Sequence, residues 1–139
     1  MKIRLGPVGH FGLAVRTLGD SARWWQSLFD LTVMFEGDRY VGLTNDSVTI
    51  VLFEGKPHPE TIQHLSFHVA GMKALREALD VLKEHHVDVE DPGDEIGPEA
   101  EGSSNMGLWF KDLDGYRWEL SVQGGRDQEQ AAARHRLVQ

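Results

Sequence analysis

The sequence predicts an α+β fold: two βαβββ modules whose strands form a curved mixed sheet, a cup or half-barrel with the helices outside. Two observations carry this expectation. The segments His10–Val15 and His64–Val69 alternate apolar and polar residues in the same phase. Each is followed by an amphipathic helical stretch and then by short strand candidates, in the same order. No other internal period is present.

In the first module, Phe11, Leu13 and Val15 point one way, and His10, Gly12 and Ala14 the other. A helix over Arg23–Phe29 follows, with Asp20 or Ser21 as its N-cap and Ala22, Trp25, Leu28 and Phe29 as its apolar stripe. Strands are expected at Leu31–Phe35, Arg39–Thr44 and Ser47–Phe53, the last two joined by a turn at Asn45-Asp46. In the second module, Leu65, Phe67 and Val69 oppose His64, Ser66 and His68. Met72–His85 reads as a helix with Leu75, Leu79 and Leu82 on one stripe. Val87–Val89 is a short strand, and a Gly/Pro/acidic loop spans Asp91–Gly102. Gly107–Phe110 and Tyr116–Val122 are strands joined by the turn Asp112-Leu-Asp-Gly115. The whole reads as one domain over 1–139, with modules at about 8–56 and 62–123 and a polar helix or frayed tail over 124–139.

The last strand sets Arg117, Glu119 and Ser121 opposite Tyr116, Trp118, Leu120 and Val122. In a half-solvated sheet such a polar face simply meets water. Here the polar faces hold His, Ser, His, Arg and Glu, and a concave sheet would gather them. His10, His64 and Glu119, at equivalent points of their strands, supply two imidazoles and a carboxylate. That is the ligand set of a three-ligand divalent metal site with open positions.

Composition bounds the function. The chain has 139 residues, 40% of them hydrophobic, enough for a core. No apolar run reaches the length of a membrane span. The N-terminus is too short and polar for a signal peptide. With no cysteine there are no disulfides, and a cytoplasmic location is the default expectation. A net charge of −8 argues against nucleic acid, whose phosphates need a basic face. Neither nucleic acid nor a membrane is an expected partner, which leaves small molecules and other proteins.

Three stretches then bring a family into view: Val8-Gly-His-Phe-Gly-Leu-Ala-Val15, Gln63-His-Leu-Ser-Phe-His-Val69 and Leu108-Trp-Phe-Lys-Asp-Leu-Asp-Gly-Tyr-Arg-Trp-Glu-Leu120. In this order and spacing they resemble the vicinal-oxygen-chelate superfamily of glyoxalase I, bleomycin-resistance proteins, fosfomycin-resistance thioltransferases, epimerases and extradiol dioxygenases. Leu113 stands where the family's ending usually has proline. The resemblance implies His10, His64 and Glu119 as metal ligands. It also implies a homodimer, and one divalent ion: Fe2+ first, with Mn2+, Ni2+, Co2+ or Zn2+ compatible. A dioxygenase-like or lyase-like enzyme acting on vicinal oxygens is the leading expectation, with Glu119 also as the catalytic carboxylate. A non-catalytic drug- or metabolite-sequestering protein and a glyoxalase I-like isomerase are the alternatives.

Departures from the family patterns refine this. Four-ligand members use a Glu or Gln late in the first module, where aligning the halves places Ile50. Extradiol dioxygenases use a histidine base in the preceding module, and Val48–Phe53 contains none; His58 lies in the nearby loop. Fosfomycin thioltransferases carry a threonine where this chain has Gly12, and a tyrosine where it has Trp109. Four further residues are expected to bind substrate: Trp109 by stacking on a planar group, Arg117 by steering an anion, and Ser66 and His68 by lining the pocket. His68, roughly 13 Å along the strand from His64, is too far to share a metal with it.

Overall fold

The structure, a computed structural model, describes residues 1–90 and 95–137. Part of the loop expected over 91–102 and the last two residues of the tail lie outside the described residues. The chain divides into two compact units, Met1–His58 and Pro59–Gln139; the first is βαβββ, and the second has the same order with a two-residue strand inserted and a helix added at its end, so the expected α+β class holds.

The first unit contains β1 (Phe11–Val15), α1 (Leu18–Leu28), β2 (Thr32–Glu36), β3 (Tyr40–Thr44) and β4 (Thr49–Glu54). The sheet order is β1-β4-β3-β2, with β1 parallel to β4. Leu13 and Val15 face the core with Ile50, Leu52 and Trp25 of α1, all nearly inaccessible to water. The helix starts earlier than the sequence suggests. Its first turn is closed by the Ser21 N–H donating to the Thr17 carbonyl at 3.0 Å, and no side chain caps it. Asp20 sits inside that turn, where the helix dipole favours a negative charge, and pairs with Arg23. Ser21 is buried on the same stripe as Trp25. The Asn45 turn is as expected: its Oδ1 accepts the N–H groups of Ser47 and Val48 at 2.8 and 2.9 Å.

The second unit contains β5 (Leu65–His68), α2 (Met72–Glu84), β6 (Asp88–Val89), β7 (Gly97–Pro98), β8 (Met106–Lys111), β9 (Arg117–Val122) and α3 (Gly125–Leu137). The order β5-β9-β8-β6, with β5 parallel to β9, repeats that of the first unit. The two-residue β7, within the expected loop, pairs with β8. The apolar face of β9, β8 and β6 is covered by α2, and the Phe67 and Trp118 rings stack in parallel, 7° from coplanar, with centroids 5.3 Å apart. The tail is a helix docked on α2. Gln128 Oε1 accepts the Met72 N–H, Arg76 pairs with Glu129, and Gly125 packs tightly beside Met72 and Met106.

Asp112 organises the β8–β9 hairpin. Its Oδ1 accepts the Asp114 and Tyr116 N–H groups, and its Oδ2 accepts the Trp118 indole N–H at 3.0 Å. Burial pushes its carboxyl above the ordinary range, and the three donors pull it back. Asp112→Ala leaves the buried indole N–H without this acceptor and should cost about 1–3 kcal/mol, read from urea unfolding. Asp112→Asn, which keeps an acceptor oxygen, should recover part of that loss.

Candidate functional site

The candidate site is the face of the second sheet turned away from α2. Register fixes its rows. Ser66 of β5 lies beside Glu119 of β9, which lies beside Trp109 of β8. One row along, His68, Ser121 and Gly107 are neighbours, and in the other direction Arg117 pairs with Lys111. His64 immediately precedes β5. It is a diagonal neighbour of Glu119, roughly 8 Å from it at Cα on ideal sheet spacing.

Along β9 this face is not the solvated one that alternation alone suggests, although Ser66 and His68 of β5 are exposed. Glu119 is 0% exposed and Ser121 1%. Both carboxylate oxygens of Glu119 are buried without a hydrogen-bond partner. The nearest hydroxyl pair, Ser66 and Ser121, is joined to itself at 3.1 Å. Burial pushes the Glu119 pKa above its ordinary 4.5; the nearby Ser66 hydroxyl pulls it down, the Glu99 carboxyl pushes it up again through its charge and its proximity, and the Arg117 charge lowers it least, so the net shift is upward. Room for the carboxylate comes from Gly107, where an added Cβ would sit 2.5 Å from Glu119 Oε2. A glycine inside a strand marks such a close approach.

Around Glu119 the other expected residues are brought together. The His64 ring meets the Trp109 ring edge-on at 4.8 Å, and His64 Nδ1 also contacts Gln63 Oε1. The Arg117 guanidinium lies over the Trp109 ring, 4.2 Å from its centroid. Arg117 is also held bidentately by Glu90, Nε to Oε1 at 2.6 Å and Nη2 to Oε2 at 2.9 Å. This pairing holds the Glu90 carboxyl below its ordinary range and raises Arg117. Ser66 is in the central row. His68 lies at the far end of β5 and lines a separate recess of about 220 Å³ with Val69, Ala70, Val122, Gln123 and Gln128. Sequence reading missed Glu90, Glu99 and Gly107. Of these only the in-strand glycine carried a signal.

His10 stands in the first unit where His64 stands in the second, one residue before the leading strand, and it is exposed. The registers correct one expectation here. Gly12 pairs with Val51 as Ser66 pairs with Glu119. The first-unit counterpart of Glu119 is therefore Val51, not Ile50, whose side chain is in the core with Leu52. Valine binds a metal no better than isoleucine, so the first unit still lacks a fourth ligand at this place. The Phe53 ring lies over Gly12, 2.9 Å from where a Cβ would be. Among the described residues, no three His, Asp or Glu side chains gather into one metal-holding cluster. No described helix is long and apolar enough to cross a membrane.

Two equivalent βαβββ units, with a histidine leading each and a buried glutamate late in the second, agree with a match to a family model over residues 8–120. The chain belongs to the Glyoxalase/Bleomycin resistance protein/Dioxygenase superfamily. Among solved structures, it is similar to the fosfomycin resistance protein FosX from Listeria monocytogenes complexed with Mn(II) and sulfate. The two share 19% identity over 91% of this chain and 98% of that one, at a TM-score of 0.72. It is also similar to a lactoylglutathione lyase from Agrobacterium tumefaciens, with 13% identity over 86% and 96% of the two chains and a TM-score of 0.68. At these identities the likeness shows the fold. No curated protein matches the chain.

Proposed function

We propose that this chain is a divalent-metal-dependent enzyme acting on a small substrate with two adjacent oxygens, its metal held by His10, His64 and Glu119. The observation that supports this most is the Glu119 carboxylate, fully buried with neither oxygen partnered. Buried carboxylates are normally hydrogen-bonded, ion-paired or metal-bound. A divalent cation would answer this carboxylate, and the imidazole of His64 is on the same face to share it. His10, at the matching position of the first unit, is the third ligand, supplied by the same chain or by a second copy. FosX complexed with Mn(II) makes Mn2+ the first ion to try beside Fe2+.

When bound, the ion supplies Lewis acidity to two substrate oxygens, or an oxygen-binding position if it is iron. The chain's own groups shape what can enter. Arg117 is already engaged by Glu90 and Trp109, so it does not offer a free guanidinium to an anion. Ser66 and Ser121 present hydroxyls beside the carboxylate. Val51 in place of a fourth ligand sets four-ligand glyoxalase I and epimerase chemistry behind dioxygenase-like or lyase-like chemistry. Phe53 over Gly12 leaves no place for the thioltransferase threonine.

A second reading, a sequestering protein without turnover, is favoured by one observation in the first unit. Phe35, Tyr40 and Phe53 are 41%, 40% and 48% exposed, and successive rings lie 6.0 and 6.3 Å apart. Such a surface suits a flat or cationic ligand.

Elemental analysis of protein purified anaerobically without an affinity tag separates the two readings. About one divalent ion per site, lost in His64→Ala, is the result expected of the enzyme. Absence of metal after reconstitution, with aromatic-ligand affinity that survives chelation, would favour sequestration.

A further inference from the structure

We infer that Glu90 and Arg117 form a positioning chain that acts through Trp109 to fix the imidazole of His64. The inference rests on the metal-site reading just given and deepens it. Glu90 grips the strand at two levels. Its backbone N–H donates to the Trp109 carbonyl at 2.8 Å. Its carboxylate takes two of the N–H groups of Arg117 in a fork, which fixes the plane of the guanidinium as well as its place. That plane lies against Trp109 at 4.2 Å. The indole, braced there, meets the His64 ring edge-on at 4.8 Å.

His64 needs such a brace. It lies one residue outside β5, without ladder partners, and its residue is exposed. Its imidazole touches the neighbouring, exposed Gln63. A ligand imidazole free to rotate pays ordering entropy on binding, whereas one already oriented does not. The chain reaches it from a residue 27 positions before Arg117 in sequence. Arg117 is then a positioning residue, its charge used inside the protein rather than on substrate.

The test uses the full-length chain with Glu90→Ala, Arg117→Lys and the double variant. In metal-free protein, the His64 ring protons should carry a ring-current shift from Trp109 that both single variants diminish. Mn2+ affinity should fall by about tenfold in each, the scale of lost outer supports of metal ligands. The double variant should be no worse than either single, because both break the same chain. Arg117→Lys keeps the charge and loses the fork, so a purely electrostatic role would leave it unaffected. Unchanged His64 signals in the single variants, or effects that add in the double, would overturn the inference. If the natural chain takes up no Mn2+, the metal reading fails, and the His64 ring signals still decide the positioning chain by themselves.

Discussion

Glu119→Met should fold to a metal-free protein more stable than the natural chain, while losing tight divalent-metal binding. The natural residue buries a carboxylate whose oxygens have no partner. An unsatisfied buried group costs about 1–3 kcal/mol, and replacing buried charge by an apolar side chain of similar size often recovers as much. The gain should depend on pH. Burial raises the folded-state pKa of Glu119 above the ordinary 4.5. Below that ordinary value both folded and unfolded chains hold the proton, and the contribution to stability is fully present. As pH rises from 4.5 through the folded-state pKa, the unfolded chain releases the proton first, and this contribution is lost. Metal-free natural protein should therefore lose stability across that window relative to Glu119→Met. Adding metal should reverse the ranking. Urea unfolding at several pH values, with and without Mn2+, measures this; a less stable Met variant at neutral pH without metal would count against an orphaned carboxylate.

Gly107→Ala is expected to damage the same site from the other side. Its Cβ would stand 2.5 Å from Glu119 Oε2 and 3.2 Å from Cδ. A surface glutamate could swing away, but this one is enclosed. Overpacking of this kind costs about 1–3 kcal/mol, and a displaced ligand should weaken metal binding by about 10–100-fold. The stability cost should vanish in a Glu119→Ala background, where the clash has no second party. A cost that persists there would place the strain in the β-strand backbone instead. Calorimetric unfolding of the four proteins in the cycle reads the difference.

The repeat was legible because period-two alternation marks strands with one buried face, and both leading strands show it in the same phase. The helix start was not, since α1 begins on a backbone carbonyl at Thr17 with no capping side chain to announce it. Strand β7 is two residues long and exists only through its pairing with β8. The slip from Val51 to Ile50 has a plainer cause. Ile50-Val51-Leu52-Phe53 is apolar throughout, so the sequence shows no phase, and a parallel pair has no tight turn to set its register. Glu119 could be placed on a face from sequence, but its burial depends on neighbours across strands. The partner of Arg117 likewise cannot be named from sequence, because Glu90 lies 27 residues before it.

Whether His10, His64 and Glu119 hold a metal is decided by titrating Mn2+ into the metal-free natural chain in a calorimeter, beside His64→Ala and Glu119→Met. Saturable uptake of one ion per site in the natural chain, abolished in both variants, is the predicted result. Uptake that is equal in all three proteins, or absent from the natural chain with Mn2+, Fe2+ and Zn2+ alike, would contradict it.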